Sequence, residues 1–259
     1  MDLGITGRTA IICASSRGLG KACALALAAE GVDVVINGRT QVTLDAATEE
    51  IRAAAGVAVT PVLGDVTTAE GRAALLDACP EPDILINNNA GPTPGPFLEK
   101  SHEDWLSALD GNMLAALALI RAVLPAMKAR RFGRIINITS AMVTTPRPPM
   151  GISSGPRAGL TAVCKGLSIE VSPDNVTINN LLPERFDTDR QKFMAQRDVE
   201  RLGIDYEQAR ANIIATIPAG RMGRPEEFGA TCAFVCSAYA GYMTGMNIHL
   251  DGGAYPALV

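Results

Sequence analysis

Ala10-Ile11-Ile12-Cys13-Ala14-Ser15-Ser16-Arg17-Gly18-Leu19-Gly20-Lys21-Ala22 is the stretch on which the fold turns. A short run of apolar, largely β-branched residues breaks into a polar turn, and Gly18 and Gly20 then open an amphipathic segment. In a strand–turn–helix unit of this kind the backbone N–H groups of the helix start, with the positive end of its dipole, face an anion such as a pyrophosphate. Two glycines alone are a weak signal; their place in the first such unit is what that mechanism requires. A tight turn with no ligand is the plain alternative.

The same alternation runs outward through the chain. Buried strands are read at residues 8–13, 32–37, 57–63, 83–87, 133–139, 176–182 and 246–250. Helices are read at 18–30, 41–55, 69–78, 103–130 and 153–171, with Pro125 expected to kink the longest near its end. Repeated strand–helix units imply an α/β protein with a parallel sheet covered on both faces, since each parallel crossover needs a helix-length connection. No Pro/Gly/Ser linker divides the chain, so residues 1–259 are read as one domain. Two segments break the pattern: the proline-stiffened loop 144–149, and a polar, partly helical insertion at about 184–224. Ligands of open parallel sheets sit beyond the carboxyl ends of the strands. Both segments leave from that edge and are read as wall and lid of a site, the plainer alternative for the insertion being an oligomer contact.

Composition narrows the class. The 259 residues are 47% hydrophobic and 19% charged, with Lys+Arg 23 against Asp+Glu 27 and a net charge of −4. That excludes wholesale disorder and leaves no electrostatic footprint for nucleic acid or an anionic membrane. No run of ~18 uninterrupted apolar residues suggests a transmembrane helix, and the start lacks the basic flank and apolar run of a signal peptide. Cys13, Cys23, Cys79, Cys164, Cys232 and Cys236 form no Cys-x-x-Cys pair and are read as buried, reduced thiols of a cytoplasmic protein. With only His102 and His249, no metal centre is expected. A small-molecule enzyme fits best.

The second strand ends Ile36-Asn37-Gly38-Arg39, where a binder of unphosphorylated dinucleotide would place an acid for the ribose 2′-hydroxyl. Arg39, with Arg17 in the turn, instead offers guanidinium forks for a 2′-phosphate, which favours NADP(H). Candidate cofactor residues are therefore Ser15, Ser16, Arg17, Gly18, Leu19 and Gly20 in the turn, and Asn37 and Arg39 at the strand end.

With these residues, nearly the whole chain resembles the short-chain dehydrogenase/reductase family, near its 3-oxoacyl-carrier-protein reductase branch. The marks are the Cys13–Gly20 turn, Asp65-Val66, Asn88-Asn89-Ala90-Gly91, Asn112, Ile138-Thr139-Ser140 and Asp251-Gly252-Gly253, in the family's order. The resemblance implies a single Rossmann domain with a doubly wound parallel sheet of about seven strands. It implies a tetramer or dimer built through helices 103–130 and 153–171. It also implies that Asp65 and Val66 flank the adenine, that Asn89, Ala90 and Gly91 border the adenosine ribose, and that Pro183, Phe186 and Thr188 approach the nicotinamide.

The departures bear on chemistry. Cys13-Ala14 stands for Thr-Gly, Asn87 is an extra asparagine, and Pro183-Glu184 stands for Pro-Gly. Counting from Ser140, the positions of the family's Tyr and Lys hold Ser153 and Arg157, while Tyr206, Tyr239, Tyr242 and Tyr255 all lie downstream. Ser140, Ser153, Arg157 and Asn112 are the expected reacting-centre residues. The resemblance gives Ser140 the substrate hydrogen bond, Arg157 the ribose or a substrate anion, and Asn112 a helix distortion and water chain. Serine is a very weak acid and arginine holds its proton up to a pKa above ~12. Water, Glu184 or Asp187 is left to give the proton in ordinary ketone reduction. An iminium substrate already carries it, so a carbonyl or imine compound is the expected partner. Arg147, Arg157 and Arg185 offer a second option, an anionic substrate. Three alternatives stand beside these. One is a cofactor-binding regulator or subunit without catalysis. Another is a cofactor-independent lyase on the same fold, although dehalogenases of the family keep the Tyr and lose the glycine turn. The last is a hydrolase elbow at Gly151-Ile152-Ser153-Ser154-Gly155 with His249, against which the preceding prolines argue.

Overall fold

Short runs rich in Val, Ile and Leu, buried on both faces in the central strands and partly exposed in the two edge strands, make the sheet, and the computed structural model, which describes residues 1–258, lays seven strands side by side. In chain order the elements are β1 (Thr9–Ile12), α1 (Gly18–Ala29), β2 (Asp33–Gly38), α2 (Gln41–Ala54), β3 (Val59–Leu63), α3 (Ala69–Ala78) and β4 (Ile84–Asn87). There follow α4 (His102–Leu109), α5 (Ala115–Ala129), β5 (Gly133–Ile138), α6 (Gly151–Val171) and β6 (Val176–Pro183). The chain ends with α7 (Asp189–Leu202), α8 (Tyr206–Ala215), α9 (Pro225–Cys236) and β7 (Asn247–Leu250). The strand order is β3-β2-β1-β4-β5-β6-β7, every pair parallel. This is the expected doubly wound Rossmann arrangement. Because β1 pairs with both β2 and β4, the winding reverses there and opens a crevice beyond their carboxyl ends.

One face of the sheet packs against α1, α2 and α9 through Leu27, Ile51 and Phe228. The other packs against α3, α5 and α6 through Leu75, Val123 and Leu160. Each such side chain contributes about 1.5–3 kcal/mol by leaving water. The two layers therefore hold the sheet, and the carboxyl edge is left to polar loops. All six cysteines are free and buried within this body.

The long helix read at 103–130 is interrupted where the resemblance puts a distortion, at Asn112: a π-helical turn at Asp110–Leu114 separates α4 from α5, and Pro125 lies inside α5 near its end. The whole stretch His102–Ala129 is, by length and composition, apolar enough to cross a bilayer, contrary to the expectation that no segment is. Here its Leu119, Ile120, Val123 and Met127 lie in the layer against the sheet. The insertion is α7 and α8 around a small core of Ala195, Ala209, Ile213, Ile217 and Met222. Its ends are tied where Asp187 N–H donates to Gly223 O at 2.9 Å and Gly223 N–H to Arg185 O at 2.8 Å.

Four strands share an amide row, buried from Asn87 to Asn180 and exposed at Asn247, that the sequence did not suggest. Asn87 Nδ2 donates to Asn137 Oδ1 (3.0 Å), Asn137 Nδ2 to Asn180 Oδ1 (3.0 Å), and Asn180 Nδ2 to Asn247 Oδ1 (2.9 Å). The extra asparagine, Asn87, is the first link of this ladder.

Candidate active site

Beyond the carboxyl ends of β1, β4, β5 and β6 lies a cleft of about 1360 Å³. That exceeds the roughly 300–1,000 Å³ of a usual single-ligand pocket. Its walls are the turn before α1, the loop after β4, the loop 144–150 and α7. The two loops are joined by the Gly95 N–H donating to Pro149 O at 3.0 Å.

The turn is built for close approach. Gly18 has φ +59°, and a Cβ there would meet nothing within 4 Å. A Cβ on Gly20 would collide with the Ala14 carbonyl oxygen and lie 2.8 Å from Asn88 Nδ2, so only glycine lets α1 seat against the strand end. No side chain caps the start of α1 and no acid lies in its first turn, which leaves its N–H groups and dipole for an anion. An uncapped helix start opening on an unfilled glycine cradle fits a dinucleotide diphosphate. Ser15, expected as a cofactor contact, does not line the cleft. It is fully buried, its hydroxyl donating to Ile12 O (2.7 Å) and accepting from Asn37 N–H (2.8 Å). Asn37 reaches the lining, but its amide is spent on Ala14 N–H, Val62 O and Gly64 O. Ser15 thus holds the turn from within, and Asn37 both holds the turn and borders the cleft.

Ser16, Arg17, Leu19, Arg39, Asp65 and Val66 do line this end. Arg39 Nη1 lies 3.4 Å from Asp65 Oδ2, with Arg39 largely exposed. Burial pushes the Asp65 carboxyl up, but hydrogen bonds from the Thr67 N–H and hydroxyl and the Arg39 charge outweigh it, holding Asp65 below its ordinary value. Further along, Asn89 Nδ2 donates to Gly111 O at 3.0 Å, tying the loop of Ala90 and Gly91 to the π turn.

At the inner end α6 presents Ser153 and Arg157, one helical turn apart, facing Ser140 at the end of β5. Arg157 is 8% exposed. Its Nη1 donates to Ile138 O (2.8 Å) and Thr139 O (2.9 Å), and its Nε to Ser153 Oγ (3.3 Å). Burial, then the nearby Arg190 charge, lowers Arg157 to about 10, so it stays protonated at neutral pH. Ser140 Oγ accepts from Met142 N–H at 3.2 Å. Both serine oxygens are thus engaged as acceptors, and both hydroxyl protons are free to turn toward a bound molecule. Asn112 sits in the π turn with Nδ2 on Ala108 O at 3.2 Å. Its Oδ1 and that of Asn87 find no protein partner, and both residues border a cavity of about 20 Å³ that Arg157 also lines. That volume suits one water molecule.

Several candidates are displaced. Asp187 does not line the cleft and is clamped to Arg210 by two contacts of 3.2 Å. Glu184 does line it, but its carboxylate is taken by Arg147 (2.8 Å) and Arg185 (3.7 Å), so neither acid is a free proton donor and neither arginine is free for a substrate anion. The hydrolase elbow fails: residues 151–155 are helical, and His249 contacts Thr144 (3.3 Å) and Asp251 (3.4 Å), not Ser153. Pro183, Phe186 and Thr188 fall in the lining as expected. The sequence reading missed Arg190 and Arg197. Arg190, Phe193, Met194 and Arg197 follow helical i, i+3, i+4, i+7 spacing, but spacing alone does not say which side of α7 faces a cleft. Among the described residues, no tyrosine, lysine, histidine or cysteine lines it.

The comparisons agree with this geometry. The family model described as Enoyl-(Acyl carrier protein) reductase matches residues 13–255. The NADPH-dependent reductase BacG of Bacillus subtilis is 34% identical over 97% of this chain and 99% of its own. The 3-oxoacyl-[acyl-carrier-protein] reductase FabG of Vibrio cholerae is 30% identical over 98% of this chain and 99% of its own. Among solved structures, L-sorbose reductase from Gluconobacter frateurii, complexed with NADPH and L-sorbose, superposes with a TM-score of 0.94 at 31% identity, covering 100% of both chains.

Proposed function

Because the chain belongs to the short-chain dehydrogenase/reductase family, we propose that it is a one-domain, NADPH-dependent reductase of a small C=O or C=N compound, with an atypical reacting centre. The observation that carries this reading is the cleft itself. It joins a dinucleotide cradle to a centre holding two serine hydroxyls and a buried arginine but no tyrosine, lysine or histidine. A similar protein is described as NADPH-dependent and a similar structure as complexed with NADPH, which supports the cofactor, as do Arg17 and Arg39. Buried free thiols accord with a cytoplasmic protein.

The turn from Ser16 to Gly20 would hold the diphosphate, Arg17 and Arg39 the 2′-phosphate, Asp65 and Val66 the adenine, and Asn89 to Gly91 the adenosine ribose. Arg157 would meet the nicotinamide ribose, with Pro183, Phe186 and Thr188 at the nicotinamide. The bound cofactor supplies a hydride. Ser153 and Arg157 stand where the family places its tyrosine and lysine, and loss of a positioned acid costs about 10²–10⁴ in rate. An iminium needs none: R₂C=NHR′⁺ takes up hydride to give the amine R₂CH–NHR′ with no further proton. The second lone pair of the Ser140 or Ser153 hydroxyl oxygen would accept the iminium N–H and orient it. For a ketone, Arg157 and the two hydroxyls stabilise the developing alkoxide. Water reaching the centre beside Asn112 then delivers the proton.

Single-turnover oxidation of NADPH against a matched cyclic imine and cyclic ketone tests the reading. The expected result is an imine rate at least about 10²-fold above the ketone rate, with the S153Y/R157K double variant gaining on the ketone. Equal rates would remove the basis for preferring C=N. Absence of NADPH binding would sink the reductase reading. Tight binding without turnover of any compound would favour the non-catalytic alternative.

A further inference from the structure

Apart from Arg17 in the cofactor turn, the arginines of the cleft divide into two groups. Arg39 meets Asp65, Arg147 and Arg185 share Glu184, and Arg201 meets Asp198 at 2.8 Å. The remaining α7 acids are also engaged, Asp189 with Lys192 (3.1 Å) and Glu200 with Gln196 (3.5 Å). Arg157, Arg190 and Arg197 have no carboxylate among the described residues. Each donates to main-chain carbonyls, Arg190 and Arg197 reaching from α7 to the loop after β4. Arg157 rests on Ile138 and Thr139, Arg190 on Pro92 at 3.2 Å, and Arg197 on Pro94 at 3.4 Å.

A guanidinium has five N–H donors in a flat fork, and a single carbonyl leaves most of those on Arg190 and Arg197 free. Arg190 is half-buried, and burial together with the Arg197 charge lowers its pKa. Arg190 in turn lowers Arg157. Three like charges are thus stacked along one wall, from the reacting centre outward, in a protein whose net charge is −4. Between the two α7 arginines the same wall presents Phe193 and Met194, with the Arg190 guanidinium carbon 5.7 Å from the Phe193 ring centre. Like charges crowded in a partly buried wall are destabilising unless an anion joins them.

We propose that Arg190 and Arg197 form a carboxylate subsite, so that the substrate is a small acid with an apolar body whose reducible bond reaches Ser140 and Ser153. This deepens the reductase reading and rests on it for the identity of the reducible bond. It also removes an electrostatic conflict, because a bare iminium would be repelled by Arg157, whereas a cyclic imino acid brings its own compensating charge. A 2-oxo acid would satisfy the same subsite.

Binding and turnover are measured separately, so that each reading can fail alone. Benzoate and benzamide, neither reducible here, are titrated calorimetrically into the full chain with and without NADP⁺. Benzoate is expected to bind at least about tenfold more tightly, as charge-assisted hydrogen bonds to a guanidinium fork predict. R197Q and R190Q should each erase most of that preference while leaving the NADP⁺ dissociation constant unchanged. Weakened NADP⁺ binding in these variants would assign the arginines to the cofactor and overturn the subsite, as would equal binding of benzoate and benzamide in the wild type. Turnover is then compared for a cyclic imino acid and its methyl ester. Preference for the acid, lost in R197Q, supports the proposal. Intact benzoate selectivity with no turnover of either compound leaves the subsite standing and removes the reductase reading.

Discussion

Ala14 carries the clearest local strain in the cofactor turn. Its φ is +45°, in the left-handed region that an L-residue enters at a cost of about 1–2 kcal/mol. The position faces the cleft, where the family resemblance would put glycine. Replacing Ala14 by Gly removes that strain but gives the unfolded chain more freedom, which returns about 0.5–1 kcal/mol. The expected net effect of Ala14→Gly is a gain of about 0.5–1 kcal/mol. A thermal scan should show it as a rise of about 1–3 °C, and a lower midpoint would show that Ala14 is relaxed by contacts that outweigh its backbone conformation. Gly18 and Gly20 were legible because their roles depend on the backbone alone. Ser15 was misread because spacing does not reveal whether a turn side chain points at a ligand or, as here, back into its own strands. The arginines were misjudged for the same reason. Nothing in the sequence says that Glu184 takes Arg147 and Arg185 while Arg190 and Arg197 have no acid.

At the scale of elements, the asparagine ladder makes β4 to β7 cooperative. Asn137 is its centre, fully buried, giving one amide hydrogen to Asn180 and accepting one from Asn87. Asn137→Ala would leave a donor and an acceptor unpaired in a dry interior, each costing about 1–3 kcal/mol. Allowing for partial relaxation, the expected loss is about 2–4 kcal/mol, read from the urea midpoint at unchanged m-value. A change below about 0.5 kcal/mol would mean that the row is not coupled. The central strands were legible because two-sided burial demands apolar runs; the ladder was not, because asparagine within a strand reads as a blemish rather than a link. The π turn was foreshadowed only through the family resemblance, which gives Asn112 a helix distortion: Asp110–Leu114 has no local signature of its own beyond Asn112 and the docking of Asn89 on Gly111, whereas Pro125, the visible helix-breaking signal, lies inside α5. Even α9 announces itself by Pro225 at its first position and Glu226 and Glu227 in its first turn, a start signal the reading passed over.

For the whole molecule, the face opposite the sheet on α4, the π turn and α6 decides the state of assembly. Leu106, Leu114, Val163 and Ile169 are all at least 45% exposed there, and Ile169 reaches 66%. Scattered apolar residues need no explanation, but a shared apolar face on neighbouring helices marks an interaction site. The membrane-like composition of His102–Ala129 accords with this, since Leu119, Ile120, Val123 and Met127 of that stretch meet the sheet while Leu106 and Leu114 are exposed. We propose that a second copy of the chain covers this outer side, the net charge of −4 opposing association only weakly. In a two-fold contact each substitution appears twice, so one buried charge per chain brings two unpaired charges into the interface. The wild type is therefore expected to elute, by light scattering, at a multiple of its 27.1 kDa chain mass, four copies being the family's habit. Ile169→Glu combined with Val163→Glu should drive it toward a single copy, while its far-ultraviolet circular dichroism stays that of the folded chain. A wild type already at one chain mass at micromolar concentration would refute the contact. A variant that keeps its full mass would move the interface to another face.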